Sequence, residues 1–182
     1  IHCGLVGSEM CIRDSKRDAS SPWARSTYTL PCTGGSYHDG TSCQDSSAGH
    51  YVDGWGQTSQ VTCVAGTYQP STGQTTCLDA DAGFYVTSIA STSQTACAAG
   101  TYQPSIGQST CVVADPGSYV ATTGQTSQTA CQAGTFQPTV GQSSCIEASA
   151  GYFVASSGQV SQTACAAGLS LIHISEPTRP QC

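Results

Sequence analysis

Basic side chains are missing from most of this chain, since no Lys or Arg lies between Cys32 and Gly168. The 182 residues carry a formal net charge of −6. Proteins that bind nucleic acid use Lys and Arg to displace the counterions of the phosphates, so the sequence predicts no nucleic-acid partner. No apolar run reaches the roughly 18 residues of a membrane-spanning helix, and no membrane segment is predicted.

Large apolar side chains are also scarce, with three Phe, two Trp and one Met against 12 Cys. A chain this poor in core-forming residues is stabilised by disulfides more than by burial. Disulfides persist in oxidising compartments. The composition therefore predicts an exported protein, located outside the cell or at the cell surface.

The residues needed for catalysis are sparse. A nucleophilic Cys or Ser requires a His base beside it, yet between residues 32 and 168 the sequence has only His38 and His50. Neither recurs in later copies of the repeat described below. Cysteines fourteen residues apart also lack the C-x-x-C spacing of structural zinc sites. The sequence predicts neither an enzyme nor a cofactor.

The two ends differ from everything between them. Residues 1–15 and 169–182 resemble translated sequencing-adapter DNA, because a coding sequence for Leu169 to Arg179 specifies Leu5 to Asp14 on its opposite strand. Such residues are set aside before the fold is considered, which removes Cys3, Cys11 and Cys182 from the cysteine count. Residues 16–31 hold the remaining basic residues and stay unassigned, as a linker or a diverged unit.

A repeat fills residues 32–168. Its first cysteine recurs every 34 residues at Cys63, Cys97, Cys131 and Cys165, and its second at Cys77, Cys111 and Cys145. A half-period of 17 residues lies beneath it, because Ala80 to Ala96 aligns with Cys63 to Asp79. Repeats of this length indicate modules that stack on their neighbours.

Each 17-residue unit has a glycine two residues before an aromatic residue. A positive φ or a close backbone approach explains such a glycine, and the aromatic residue begins a short β-prone run. A turn such as Gln-Pro-Ser-Thr-Gly follows. The fold class predicted is a small disulfide-rich all-β protein, an elongated array of short β-hairpins. The repeated positions are Gly66, Tyr68, Gly83, Tyr85, Gly100, Tyr102, Gly117, Tyr119, Gly134, Phe136, Gly151 and Phe153.

Alternate units lose both cysteines together, as where Ala80 and Gln94 replace them. Thiols that disappear as a pair are expected to bond as a pair, because the loss of one alone would leave a free thiol. This favours Cys32–Cys43, Cys63–Cys77, Cys97–Cys111 and Cys131–Cys145, with a partner for Cys165 beyond the printed sequence. The rival register is Cys43–Cys63, Cys77–Cys97, Cys111–Cys131 and Cys145–Cys165.

Three acidic residues in the connectors between units, Asp79, Asp81 and Asp115, are weak calcium candidates. Carboxylate oxygens are ligands that Ca²⁺ prefers. The same positions become Val113 and Ser149 in other units, which favours a solvated acidic connector.

The pattern C-x-x-G-x-Y with a second cysteine fourteen residues after the first resembles the cysteine-rich ephrin-receptor-like repeats, which are similar in style to modules of tumour-necrosis-factor receptors and to EGF-like domains. Residues 32–168 share the resemblance, although every second unit has lost its cysteines. The resemblance implies an extracellular, disulfide-bonded stalk or ligand-binding region. Its copies here are Cys63, Gly66, Tyr68, Cys77; Cys97, Gly100, Tyr102, Cys111; and Cys131, Gly134, Phe136, Cys145.

Three functions remain open at this point. The first is a non-catalytic extracellular stalk or adhesion-type spacer, favoured by near-identical units. The second is a receptor-like module that binds an extracellular protein or glycan. It predicts that exposed residues on one face vary between units, and the Val86, Val120 and Val154 series and the Ile106 and Val140 pair vary only slightly. The third is an accessory region of an exported enzyme.

Overall fold

The computed structural model describes residues 31–166. The predictions for residues 1–15 and 169–182, and for all but the last residue of 16–31, lie outside the described residues. Within residues 31–166 there is no helix, and every strand belongs to a two-stranded antiparallel sheet. The predicted all-β, disulfide-rich repeat fold is therefore confirmed.

Eight hairpins follow one another along the chain, and each pairs only its own two strands. The pairs are β1 (Ser36–His38) with β2 (Cys43–Asp45), β3 (His50–Tyr51) with β4 (Val61–Thr62), β5 (Thr67–Tyr68) with β6 (Leu78–Asp79), β7 (Phe84–Tyr85) with β8 (Thr95–Ala96), β9 (Thr101–Tyr102) with β10 (Val112–Val113), β11 (Ser118–Tyr119) with β12 (Thr129–Ala130), β13 (Thr135–Phe136) with β14 (Ile146–Glu147), and β15 (Tyr152–Phe153) with β16 (Thr163–Ala164).

Two kinds of hairpin alternate. We call residues 32–45, 63–79, 97–113 and 131–147 the cysteine hairpins, and residues 46–62, 80–96, 114–130 and 148–164 the glutamine hairpins. Both kinds have the same register: Tyr68 pairs with Leu78 in one, and Tyr85 pairs with Thr95 in the next. The shared register means that the two kinds are copies of one 17-residue unit.

The core of the array is narrow and contains no large side chain. The fully buried residues are mainly the first position of a hairpin and the position after the aromatic residue, which is valine in the glutamine hairpins and glutamine in the cysteine hairpins. Cys97 and Ala114 have no exposed surface, and Val86 is 3% exposed. A core this thin cannot stabilise one hairpin alone, so neighbouring hairpins must contribute.

Besides the bond from the first residue of each hairpin to the repeated glycine of the hairpin before it, as from Ala80 N to Gly66 O at 2.9 Å, three backbone hydrogen bonds join each hairpin to the next. Between residues 63–79 and 80–96, Gly66 N donates to Val86 O at 2.8 Å and Gln69 N donates to Ser91 O at 2.9 Å. In the opposite direction, Ala90 N donates to Cys63 O at 2.9 Å. Equivalent bonds recur at every junction from residue 32 to residue 164. The stacking contacts therefore come from the backbone, which is the same in every unit whatever its side chains.

The repeated glycine also contacts the hairpin two positions ahead. Gly100 has a φ of 85°, and a Cβ built there would collide with the carbonyl oxygen of Gly141. A side chain at this position would be strained by the backbone angle and blocked by the packing. Each hairpin is thus packed against the two that follow it.

Disulfides close the cysteine hairpins. The structure contains Cys32–Cys43, Cys63–Cys77, Cys97–Cys111 and Cys131–Cys145, with Cα atoms 5.6–5.8 Å apart, within the range that a disulfide spans. These are the pairs that the coupled loss of cysteines favours. Cys165 is disulfide-bonded as well, whereas the sequence predicted a partner for it beyond the printed chain.

Candidate binding surface on the cysteine hairpins

A glutamine side chain bridges the two strands where the disulfide is absent. In the hairpin of residues 80–96, Gln94 Oε1 accepts a hydrogen bond from Asp81 N at 2.6 Å. The Nε2 of the same side chain donates to Asp81 Oδ2 at 2.6 Å. Gln94 stands where the cysteine hairpins have their second cysteine. The amide therefore ties the end of the hairpin back to its start, as the disulfide does.

The same clamp recurs in the other glutamine hairpins. Gln128 accepts from Asp115 N at 2.7 Å and donates to its carboxylate at 2.8 Å, and Gln162 makes the equivalent pair with Ser149. Gln60 accepts from Ser47 N at 2.8 Å. The sequence analysis assigned no role to these residues. The pattern that indicates the clamp is visible in the sequence, because the residue that replaces the second cysteine is always glutamine and never another polar residue.

Gln94→Ala is expected to lower the free energy of unfolding by about 1 kcal/mol, the usual net worth of a side-chain hydrogen bond to the backbone. Gln108→Ala is the matched control, because Gln108 is exposed and its side chain only contacts the Ile106 carbonyl in its own turn. Denaturant unfolding of both variants measures the difference. Equal loss in the two variants would show that Gln94 is not a clamp.

The cysteine hairpins bury a different glutamine in their turns. Gln103 is 5% exposed; its Nε2 donates to Thr110 O at 2.7 Å and its Oε1 accepts from Ser105 N at 3.1 Å. Gln69 and Gln137 make the same contacts. A buried amide has to be satisfied in this way, so this glutamine fixes the turn that begins at the neighbouring proline.

The calcium candidates do not meet at one place. The carboxylates of Asp81 and Asp115 each accept a hydrogen bond from a clamp glutamine, and Asp79 lies beside the backbone of Gly107. Among the residues that the structure describes, no three His, Cys, Asp or Glu side chains are grouped as a metal site requires. A calcium site stays a prediction, and the structure gives Asp81 and Asp115 a clamping role.

Asp39 organises the turn of the first hairpin. Its exposed carboxylate accepts hydrogen bonds from Ser42 N at 2.9 Å, Thr41 Oγ1 at 2.7 Å and Thr41 N at 2.8 Å. These donors, with Ser42 N the largest contributor, hold the pKa of Asp39 well below the ordinary aspartate value of 3.8. The depressed pKa means that ionised Asp39 stabilises this turn above the pKa of an unfolded aspartate, and that the stabilisation is lost as the pH falls through the folded value.

An NMR titration is expected to place the midpoint of the Asp39 carboxyl below 3.8. Thr41→Ala removes a hydroxyl donor to the ionised form and is expected to raise that midpoint. A midpoint that the Thr41→Ala variant leaves unchanged would contradict the assigned hydrogen bonds.

The second strands of the cysteine hairpins expose aliphatic side chains. Leu78, Val112 and Ile146 occupy the same position in three hairpins and are 45%, 43% and 47% exposed. The following residue of each strand is exposed too. We call these three pairs of residues the cysteine-side ladder: Leu78–Asp79, Val112–Val113 and Ile146–Glu147.

The glutamine hairpins have a different second strand. It reads Thr-Ala in three of them, at Thr95–Ala96, Thr129–Ala130 and Thr163–Ala164. Variation between units is therefore concentrated in the cysteine hairpins. Val86, Val120 and Val154, which the sequence analysis took as exposed, are 2–3% exposed and form the core, so that expectation was wrong. Ile106 and Val140 are exposed, at 61% and 56%, at the turn of the hairpin.

The last residue of a second strand lies near the turn of the next cysteine hairpin. A Cβ built on Gly107 would lie 3.5 Å from Asp79 Oδ1, and one built on Gly141 would lie 3.1 Å from Val113 Cγ1. The pairs of the ladder therefore follow one another along successive cysteine hairpins.

An open groove of about 420 Å³ lies between the first glutamine hairpin and the next cysteine hairpin, with Tyr51, Val61 and Val64 on its walls. In the described range there is no helix that is long and apolar enough to cross a membrane.

Comparison with known proteins gives one match. Residues 49–97 match the family model described as tyrosine-protein kinase ephrin type A/B receptor-like; the match spans most of one glutamine hairpin, a cysteine hairpin and the next glutamine hairpin. No curated protein matches the chain. The resemblance inferred from the cysteine, glycine and aromatic spacing is thus confirmed, and residues 49–97 are similar to the ephrin-receptor-like modules.

Proposed function

We propose that residues 32–168 are a non-catalytic spacer of a secreted or cell-surface protein, a stalk that holds other parts of that protein at a set separation. The observation that carries this proposal is the junction, which repeats the same three backbone hydrogen bonds from hairpin to hairpin. A spacer needs such uniform junctions, because one weak junction would act as a hinge. The disulfides and the ephrin-receptor-like match support an extracellular or cell-surface location.

Inserting extra repeats tests the spacer. A second copy of residues 80–113 placed after Val113 adds one full 34-residue repeat and keeps the alternation of hairpins. We expect one and two inserted copies to raise the maximum dimension in small-angle X-ray scattering by equal steps. The dimension of a compact globule would instead rise much more slowly, roughly as the 0.38 power of length.

A flexible Gly-Ser insert of the same length is the matched control for added mass. The flexible insert is expected to broaden the distribution of interatomic distances without adding a fixed increment to the maximum dimension, since such linkers behave as random coils. If the repeat insert and the linker insert gave the same scattering profile, the array would not be a spacer of defined length.

A second function, binding of an extracellular protein, is favoured by one specific observation. The second strand begins with Leu78, Val112 or Ile146 in three cysteine hairpins, whereas it begins with threonine in three of the four glutamine hairpins and with Val61 in the first. A spacer alone gives no reason for this difference between the two sets of strands. The two functions are compatible, because one requires the backbone junctions and the other requires exposed side chains.

A further inference from the structure

We propose that the cysteine-side ladder is the docking surface for a protein partner that presents an extended segment containing both aliphatic and basic side chains. The surface consists of Leu78, Asp79, Val112, Val113, Ile146 and Glu147. The proposal does not depend on the spacer function, because it concerns side chains that the junctions do not use.

The apolar half of the surface is costly to expose. Leu78, Val112 and Ile146 are each more than two-fifths exposed, in a chain that has few aliphatic side chains of this size to bury. The glutamine hairpins show that the fold accepts threonine at this position, at Thr95 and Thr129. Folding therefore does not require the aliphatic residue, and exposed apolar side chains repeated at one position of successive cysteine hairpins indicate a contact surface.

The charged half of the surface determines the kind of partner. Asp79 and Glu147 follow the aliphatic residue in two of the three pairs, and Asp45 occupies the same place in the first cysteine hairpin. No Lys or Arg lies between Cys32 and Gly168 to neutralise them. A partner that carries Lys or Arg beside apolar residues complements this pattern, whereas a second copy of the same face would bring carboxylates against carboxylates.

The geometry of the surface favours an extended segment. Successive pairs are one 34-residue repeat apart in the chain, and Asp79 and Val113 each lie near the turn of the next cysteine hairpin. The occupant has to follow the array to reach more than one pair. An occupant that contacts several pairs binds multivalently, so its overall affinity rises with the number of pairs that it contacts.

A displayed library of random peptides is the probe. It is panned on the secreted full 182-residue chain, after depletion on the triple variant Leu78→Thr, Val112→Thr, Ile146→Thr, which copies the residue of the glutamine hairpins. We expect enriched peptides that combine Lys or Arg with aliphatic residues and that bind the triple variant about tenfold or more weakly, as expected when contacts at the centre of an interface are removed.

The matched control is the variant Thr95→Val, Thr129→Val, Thr163→Val, which alters the glutamine hairpins and is expected to bind the same peptides as the unchanged chain. Failure to enrich peptides specific for the unchanged chain would overturn the proposal, as would enriched peptides without a basic residue. So would a dimer, detected by sedimentation, that the triple threonine variant abolishes, because a second copy would then be the occupant. Circular dichroism of both triple variants checks that the hairpins remain folded.

Discussion

Gly100→Ala is expected to lower the free energy of unfolding by about 3 kcal/mol or more, the largest effect of any single substitution considered. The φ of Gly100 is 85°, where a Cβ costs about 1–2 kcal/mol. The new methyl group would also meet the carbonyl oxygen of Gly141, two hairpins away. Backbone cannot move aside as a flexible side chain does, so this clash adds roughly 1–3 kcal/mol.

Gly124→Ala separates the two causes. Gly124 also has a positive φ, 73°, but its nearest neighbour to a built Cβ is the Ala96 side chain at 4.0 Å. The equivalent position of another hairpin is naturally Ala90, with a φ of 55°. We expect Gly124→Ala to cost about 1 kcal/mol, and denaturant unfolding measures both variants. Equal losses would mean that the contact two hairpins ahead contributes nothing.

Removing one disulfide is expected to have the second largest effect. Cys97→Ala with Cys111→Ala opens a loop whose ends are 14 residues apart, and loops of this size contribute about 3 kcal/mol by restricting the unfolded chain. Alanine is already the natural residue at the equivalent first position, Ala80 and Ala114, so the substitution of Cys97 itself fits the fold. The loss of stability therefore measures the contribution of the disulfide and not a packing defect at Cys97.

Cys97→Ala with Cys111→Gln tests whether glutamine can replace the disulfide. This pair reproduces the glutamine hairpins, where the amide accepts a hydrogen bond from the second residue of the unit. We expect it to be about 1 kcal/mol more stable than the double alanine variant, the worth of the restored hydrogen bond. If the two variants unfold at the same denaturant concentration, the clamp seen in the glutamine hairpins does not transfer between hairpins.

Local features of the fold could be predicted from the sequence because they depend on residues close in the chain. A glycine, an aromatic residue and a proline turn in each 17-residue unit predict a short hairpin, and the hairpins are present. The spacing also indicated the ephrin-receptor-like family, which the match to residues 49–97 bears out. The repeat strengthens the prediction of hairpins, because the same pattern occurs independently in each 17-residue unit.

Features that depend on stacking could not be predicted in this way. Val86 was expected to be exposed, but its backbone bonds to Gln108 of the next hairpin and its side chain is buried. Leu78 is 45% exposed instead, in the second strand of a cysteine hairpin. A period of 17 residues states how often units recur, and only three-dimensional packing decides which positions are covered.

The most direct test of this account is a disulfide map of the unreduced chain after cleavage with chymotrypsin. Chymotrypsin cuts after aromatic residues, and each hairpin from residue 46 to residue 164 has at least one such residue between the cysteine positions. Every cysteine from Cys63 to Cys145 therefore ends in a separate peptide. The account predicts a peptide joining Cys63 to Cys77 and another joining Cys97 to Cys111. A peptide joining Cys77 to Cys97 would contradict it.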